Sequence, residues 1–332
     1  MDFVKKNYQG ILLSFTVALV ATFLGNFFPI IGGPVFGILL GLVIAFFPRN
    51  QVFEPGIAFT SKKILQYAIV LLGFSMNLFQ IFAVGSQSLL IIISTISTAL
   101  IVSYIISKWL KIPADVSILV GVGSSICGGS AIAATAPVIK AKGKDIATSI
   151  SVIFLFNVLA ALLFPTFGSL LGMNDIGFGM WAGTAINDTS SVVAAGQTWA
   201  ASHASDVALN YATIVKLTRT LAIIPITLIL AFYRSKKSSN VSVRMSETFP
   251  WFILFFLIAA IFSTIFQFNE TVIDLLTTLS KFCITMALAA VGLNTNLVDL
   301  VKTGGKPIFL GFCCWISIMI VSLAMQQILQ IW

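Results

Sequence analysis

Long apolar runs, interrupted only by short polar gaps, decide what this chain can fold into. A helix that crosses a bilayer needs roughly 20 mainly apolar residues. The sequence offers such runs one after another, at residues 11–28, 33–47, 64–80, 88–107, 115–139, 146–168, 177–200, 207–233, 250–267, 273–298 and 306–331. Charged residues make up only 9% of the 332, and hydrophobic residues 58%. One soluble core of this length cannot hide so much apolar surface, because a soluble fold still has to cover its outside with polar groups. The expected fold class is an all-α polytopic membrane protein of about 11 membrane segments, a single transmembrane domain over residues 1–332. Nuclear, nucleic-acid-binding and secreted classes fall away. Lys5 and Lys6 ahead of the first run superficially resemble a signal peptide, but the run is long and no small-x-small site ends it, so it reads as a retained first helix. The longest polar stretch, Tyr233 to Glu247, is only a loop.

Two of the runs are unlike the rest. Segment 115–139 carries Gly121, Gly123, Ser124, Ser125, Cys127, Gly128, Gly129 and Ser130 at its middle. Segment 177–200 carries Gly183, Thr184, Asn187, Asp188, Thr189, Ser190, Ser191 and Gly196. Glycine clusters weaken a helix. Broken backbone survives at membrane depth only where it is buried in protein or lines a cavity. Both segments are therefore expected to be broken, either crossing the membrane or re-entrant. The net charge of +8 bears on that choice. With the N-terminus in the cytoplasm and both segments re-entrant, 16 of the 19 basic residues are cytoplasmic, among them Lys140, Lys142, Lys144, Lys236, Lys237, Arg244 and Lys302. If both segments span, the three lysines of 140–144 move outside and the count falls to 13. The excess of Lys and Arg in cytoplasmic loops favours the re-entrant version. Either version puts the C-terminus outside the cell's inner (plasma) membrane.

The two polar blocks also repeat. At an offset of 60, Gly123 meets Gly183, Ile126 meets Ile186, Ser130 meets Ser190 and Ala134 meets Ala194. A second echo, at an offset of 219, lays 61–78 over 280–297 and pairs Gly73 with Gly292 and Asn77 with Asn296. In the charge-derived topology the members of each pair run in opposite directions. Inverted repeats with broken helices near the bilayer midplane are the architecture of secondary transporters.

The residues that carry chemistry sit in or beside these blocks. Helix N-termini and turns expose free N–H groups that attract anions, and Gly128 and Gly129 would let a ligand approach the backbone. The hydroxyls of Ser124, Ser125, Ser130, Thr189, Ser190 and Ser191, with Cys127 and Asn187, would line the same space. Close packing through small residues explains the glycines and alanines, but not Asn187-Asp188-Thr189 between apolar flanks. Asp188 is the one acid in the middle of a segment, a candidate for a coupling proton or sodium ion, or for an internal pair with Lys216 or Arg219. Lys216 and Arg219 lie at i, i+3 and face the same way. An inward cation pair suits an anionic substrate, or balances Asp188. Asn77, Asn157, Asn294 and Asn296 are lesser polar features, and His203 sits in the apparent loop Ala201–Asp206. Four scattered cysteines and one histidine make neither a disulfide framework nor a metal site. No catalytic motif appears, so no enzyme and no cofactor is expected, beyond a sodium ion or proton as coupling ion.

The run Gly121–Ala134, followed by Gly183–Gly196, resembles the paired signature of the bacterial YeiH family of membrane proteins, labelled sulfate exporters. The resemblance covers nearly the whole chain, including the Lys-x-x-Arg helix, and extends more distantly to the sodium/proton antiporter and bile-acid-symporter fold group. It implies an anion transporter with a broken-helix core, inverted repeats and a homodimer. The leading expectation is a secondary active transporter of a small inorganic or organic anion, a sulfate-like oxyanion or a sulfonate, coupled to a proton or sodium gradient. The alternatives are an anion channel or a non-transporting membrane scaffold. A membrane enzyme acting on a lipid would need clustered acids or a histidine near an interface.

Overall fold

The computed structural model describes residues 2–28, 32–235, 251–295 and 304–332, and all regular structure among them is helical. The chain begins with α1 (Asp2–Phe27) and α2 (Gly32–Ala45). A short α3 (Glu54–Phe59), with Pro55 in its first turn, continues through a π turn into α4 (Leu65–Gly73). The long α5 (Leu78–Leu110) leads to α6 (Ala114–Ser125) and α7 (Gly129–Ile139), then to α8 (Gly143–Leu170). Next come α9 (Asp175–Ala185), α10 (Thr189–His203), α11 (Val207–Thr220) and α12 (Ile223–Ser235). The last helices are α13 (Trp251–Phe266), α14 (Glu270–Leu293) and α15 (Gly305–Ile328).

Six helical stretches among the described residues are long and apolar enough to cross a bilayer: Lys6–Phe27, Leu78–Leu110, Gly143–Leu170, Val207–Thr227, Glu270–Leu293 and Gly305–Ile328. Four shorter apolar helices, α2, α6, α7 and α13, accompany them. The glycine-rich stretches contribute no long helix, because each is divided into halves of 11 to 15 residues. Helices also outrun the apolar residues that announce them. α1 reaches back through Lys6 and Lys5, and α5 starts well before the apolar run at 88–107, because a polar end outside the apolar core does not stop a helix. Lys236, Lys237, Arg244, Asn296, Lys302 and most of the loop from Tyr233 to Glu247 lie outside the described residues.

The chain divides into two compact units. The first holds Met1–Ala83, Val193–Asn210 and Trp251–Asn296. Its helices touch backbone to backbone through glycine. A Cβ on Gly41 of α2 would lie 2.4 Å from the Ala289 carbonyl of α14, and one on Gly292 2.4 Å from the carbonyl of Ile38. Gly10 of α1 and Gly56 of α3 meet in the same way. Such small-residue contacts replace the hydrophobic drive that lipid does not supply. Lys281 pairs with Asp206 at 2.8 Å. His203, expected in a loop, is instead the last residue of α10, and its ring stacks on Trp199 with centroids 4.0 Å apart.

The second unit holds Val84–Val192, Tyr211–Pro250 and Leu297–Trp332. α6 and α7 pack on each other and on α8, α12 lies against α7, and α15 lies against α6, α8 and α9. Val122, Ile126, Cys127, Ala131 and Ile223 form a buried core. Phe164 of α8 stacks on Trp181 of α9 at 4.2 Å. Apart from Gly196, which falls in the first unit, every residue named in the two polar blocks belongs to this unit, together with Lys216 and Arg219.

Candidate functional site

The site is built from two helix breaks and one helix that faces them. At the first break α6 ends at Ser125, and Gly128 turns the chain with φ +66° and ψ −127° before α7 starts. That conformation is open to glycine and strained for any other residue. The Gly128 N–H donates to the Gly123 carbonyl at 2.9 Å, closing the end of α6. α7 then packs beside α6, and a Cβ on Gly123 would lie only 3.0 Å from Ile132 Cδ1. Gly128, the N-cap residue, brings no side chain to cap α7.

At the second break α9 ends at Ala185, and Ile186 is extended (φ −85°, ψ 133°). Asp188 then caps α10. Its Oδ2 accepts from the backbone N–H of Ser190 at 2.9 Å and from the Ser190 hydroxyl. This is the N-cap role that Asp performs at helix starts generally. The Asp188 N–H donates to Asn157 Oδ1 of α8 at 3.1 Å. The breaks meet here, since a Cβ on Gly128 would lie 3.3 Å from Asn157 Nδ2 and 3.4 Å from Asp188 Cβ.

Behind the breaks, Lys216 and Arg219 of α11 are fully buried. Arg219 donates from Nε to the Ser125 carbonyl at 2.7 Å, from Nη2 to Ser124 at 2.6 Å, and from Nη1 to Thr184 at 2.6 Å and Ile186 at 3.4 Å. Lys216 Nζ donates to Ile126 at 2.5 Å, to Ile186 at 3.1 Å and to the Asn187 carbonyl. Apart from that of Asn187, which lies in the link to α10, these carbonyls are the ones a helix leaves unpaired at its C-terminal end, where the helix dipole also favours a cation. One cation pair thus satisfies the ends of α6 and α9 together. An ammonium has three donors, and all three of Lys216 are engaged. Neither cation is ion-paired with Asp188, so the internal pair allowed by the sequence is not formed. The carboxylate is turned to its own helix instead.

The remaining candidates divide by exposure. Ser124, Ser125, Cys127, Gly128, Asn187, Ser190 and Ser191 are buried. Ser125 Oγ donates to the Val122 carbonyl at 3.0 Å, and Asn187 Oδ1 is buried without a partner. Gly129, Asp188 and Thr189 are half-buried and Ser130 is exposed. Nothing stands within 4 Å of the position a Cβ would take on Gly129. The starts of α7 and α10 therefore form the accessible face of the site, and the cations form its sealed back. Bare first-turn N–H groups beside a hydroxyl suit an oxyanion, and a half-buried carboxylate suits a proton or a small cation. No group of His, Cys, Asp and Glu among the described residues is arranged to hold a metal ion.

Asn157 is the residue whose importance the sequence least reveals. It is one polar residue in a long apolar helix, and only the fold shows that its amide tethers the second break. Thr184 and Ser322 share a buried hydrogen bond of 2.6 Å that ties α9 to α15, and Ser322 carried no signal beyond being polar in an apolar run. Asn77 Oδ1 accepts from Phe79 N, and Asn294 ends α14, so these two act as caps.

A family model described as Conserved hypothetical protein 698 matches residues 9–311. A UPF0324 membrane protein of Streptococcus pyogenes serotype M18 is 58% identical over 335 residues, covering 98% of each chain. One from Streptococcus mutans serotype c is 56% identical over 334 residues, again 98% of each. One from Fusobacterium nucleatum is 54% identical over 339 residues, covering 97% of this chain and 98% of that one. No solved structure matches the chain.

Proposed function

The chain belongs to the family of Conserved hypothetical protein 698, the UPF0324 membrane proteins, and from that premise we propose that it is a secondary active transporter of a small oxyanion or sulfonate. The observation that carries this reading is the division of the site into two faces. Lys216 and Arg219 hold the C-terminal ends of α6 and α9 from behind, and this leaves the starts of α7 and α10 on the accessible side. The anion binds at the first turn of α7, against the N–H groups of Gly129 and Ser130, with the hydroxyls of Ser130 and Thr189 beside it. The two cations act as positioning residues. Their charge makes the site favourable to an anion across a short distance, while their donors stay on the backbone.

Asp188 is the coupling residue in this reading. An ionised carboxylate beside a bound anion is opposed by like-charge repulsion. A proton or a sodium ion on Asp188 removes that repulsion, so anion and cation bind together and cross together. The packing of α7 against α6 supports a re-entrant first segment, with Lys140–Lys144 in the cytoplasm, and the reading keeps the N-terminus inside and the C-terminus outside. The functional form is a homodimer in the cell's inner membrane.

A proteoliposome uptake screen tests the proposal. Labelled sulfate, thiosulfate, sulfite, sulfonates and small carboxylates are offered with and without imposed proton and sodium gradients. Saturable accumulation of one of these anions above its equilibrium level, dependent on one gradient, supports the transporter. Flux that only follows the anion's own gradient supports a channel, and no flux for any anion supports a scaffold.

A further inference from the structure

We propose that the second unit carries a binding groove for one acyl chain of an anionic phospholipid, separate from the ion site. The groove has a volume of about 300 Å³, at the lower end of the range for small-molecule pockets, and it is lined by α5, α6 and α12. Leu100 and Tyr104 form one wall, Ile118 and Val122 the floor, and Ile226 and Ile229 the other wall.

Its chemistry excludes a polar ligand. The only hydroxyls at its base, Ser103 and Ser117, are already satisfied. Ser103 Oγ donates to the Ser117 carbonyl at 2.7 Å, and Ser117 Oγ donates to Ser107 Oγ at 2.7 Å. What remains, apart from the Tyr104 phenol at the mouth, is hydrocarbon. The mouth opens between Tyr104, 64% exposed, and Ile229, 67% exposed, and Ile101 and Ile105 lie exposed beside it on α5. In a membrane protein such a surface faces lipid tails.

The headgroup end is marked by charge and by interfacial residues. Lys108 lies one helical turn beyond Tyr104, with its ammonium 5.7 Å from the centre of the Tyr104 ring. Trp109 beside it is exposed, and Lys111 follows. Trp and Tyr gather at the headgroup level of a bilayer, and cytoplasmic lysines attract anionic lipids. A phosphate at Lys108 therefore places its acyl chain one turn deeper, at Leu100 and Ile118.

The position of the groove ties the lipid to the ion site. Ile118 and Val122 belong to α6, whose last carbonyls Arg219 holds, and Ile226 belongs to α12, which follows Arg219 in the chain. Leu100, Ile118 and Ile226 also pack on the buried core of Ile126 and Cys127 at the first break. A chain in the groove braces the first break from its far side.

The test uses the full-length protein in liposomes that contain phosphatidylglycerol with a photoreactive group in one acyl chain. Peptide mapping after illumination is expected to place the cross-link on Ser117–Val122 or Ile226–Leu230. Unlabelled phosphatidylglycerol should compete about fivefold better than phosphatidylcholine, the contribution of one lysine near an anionic surface. Lys108→Ala should remove that preference, and Ile226→Trp should fill the groove and abolish the cross-link. Lys108 is exposed, so its replacement leaves folding intact even if the tryptophan variant fails to fold. Cross-links spread evenly over the lipid-facing helices would overturn the proposal. So would a lipid preference unchanged by Lys108→Ala, or efficient chain-to-chain cross-linking of an Ile229→Cys variant, which would assign the groove to a second copy. None of these outcomes depends on transport, so the groove and the transporter reading fail separately.

Discussion

The two helix breaks share a residue pattern but are built differently. Both carry glycine, then isoleucine, then a polar cluster, and both lend their preceding carbonyls to Lys216 and Arg219. The first break turns on Gly128 at positive φ and starts α7 with no cap. The second turns on extended residues and starts α10 with Asp188 as its own cap. One half-helix thus offers bare donors, while the other brings a negative charge to the same place. A symmetric pair of donor ends would bind an anion and hold it. In the proposed transporter the asymmetric pair would bind an anion well only when the carboxylate is neutralised, which is the physical requirement for coupled movement.

The largest effect should come from the shared back of the site. Lys216→Met leaves the buried carbonyls of Ile126 and Asn187 without a donor, and that of Ile186 with only the 3.4 Å contact from Arg219, each worth about 1–3 kcal/mol when unsatisfied. The variant should lose several kcal/mol of stability, read as a much lower melting temperature in detergent. Retained stability would show that the cations do not hold the breaks. Arg219→Lys should rescue Arg219→Ala only in part, because a point-charge ammonium cannot reproduce the spread of a guanidinium over four carbonyls.

Gly128→Ala should come next, and it separates the two breaks. It places a side chain at positive φ, at a cost of about 1–3 kcal/mol, and presses a methyl toward Asn157 and Asp188. Ile186→Ala at the matching extended position strains nothing in the backbone and should cost only the packing of its side chain. Equal backbone tolerance at both sites, judged by thermal melts with Gly128→Ala set against Ile186→Ala, would erase the difference in how they turn. Ser130→Ala should be milder. It removes one exposed hydroxyl and should weaken anion binding by roughly 2- to 12-fold, the worth of a hydrogen bond of about 0.5–1.5 kcal/mol. Stability should be unchanged. Isothermal titration with the transported anion reads this, and an unchanged affinity would remove Ser130 from the accessible face.

The positions of the breaks were legible in the sequence because glycine, serine and asparagine stand out inside apolar runs. The partners of the cations were not. Lys216 and Arg219 read as substrate ligands or as counter-charges for Asp188, since residue types reveal side-chain charge but not which backbone carbonyls a break leaves unpaired. The hydrogen bonds of Asp188 were hidden for the same reason. Its carboxylate serves the N–H of Ser190 two residues on, a local cap that becomes visible only once the break is placed between Asn187 and Thr189. Helix lengths were blurred because polar ends such as Lys5–Asn7 remain helical beyond the apolar stretch. His203 continues α10 by stacking on Trp199, a contact four residues back that composition does not announce.

The central claim is that neutralising Asp188 permits the anion to bind beside it. Anion affinity should therefore be titrated at several pH values and sodium concentrations, in wild type and in Asp188→Asn. Asparagine is as good an N-cap as aspartate, so the variant should remain folded with a melting temperature close to wild type. In wild type, affinity should rise as pH falls or as sodium rises, by about 5- to 150-fold, the usual span of coupling between two sites. In Asp188→Asn the carboxylate's charge is permanently absent, so affinity should stay high and flat across the same conditions. A well-folded Asp188→Asn protein that keeps the wild-type dependence on pH and sodium would contradict the account.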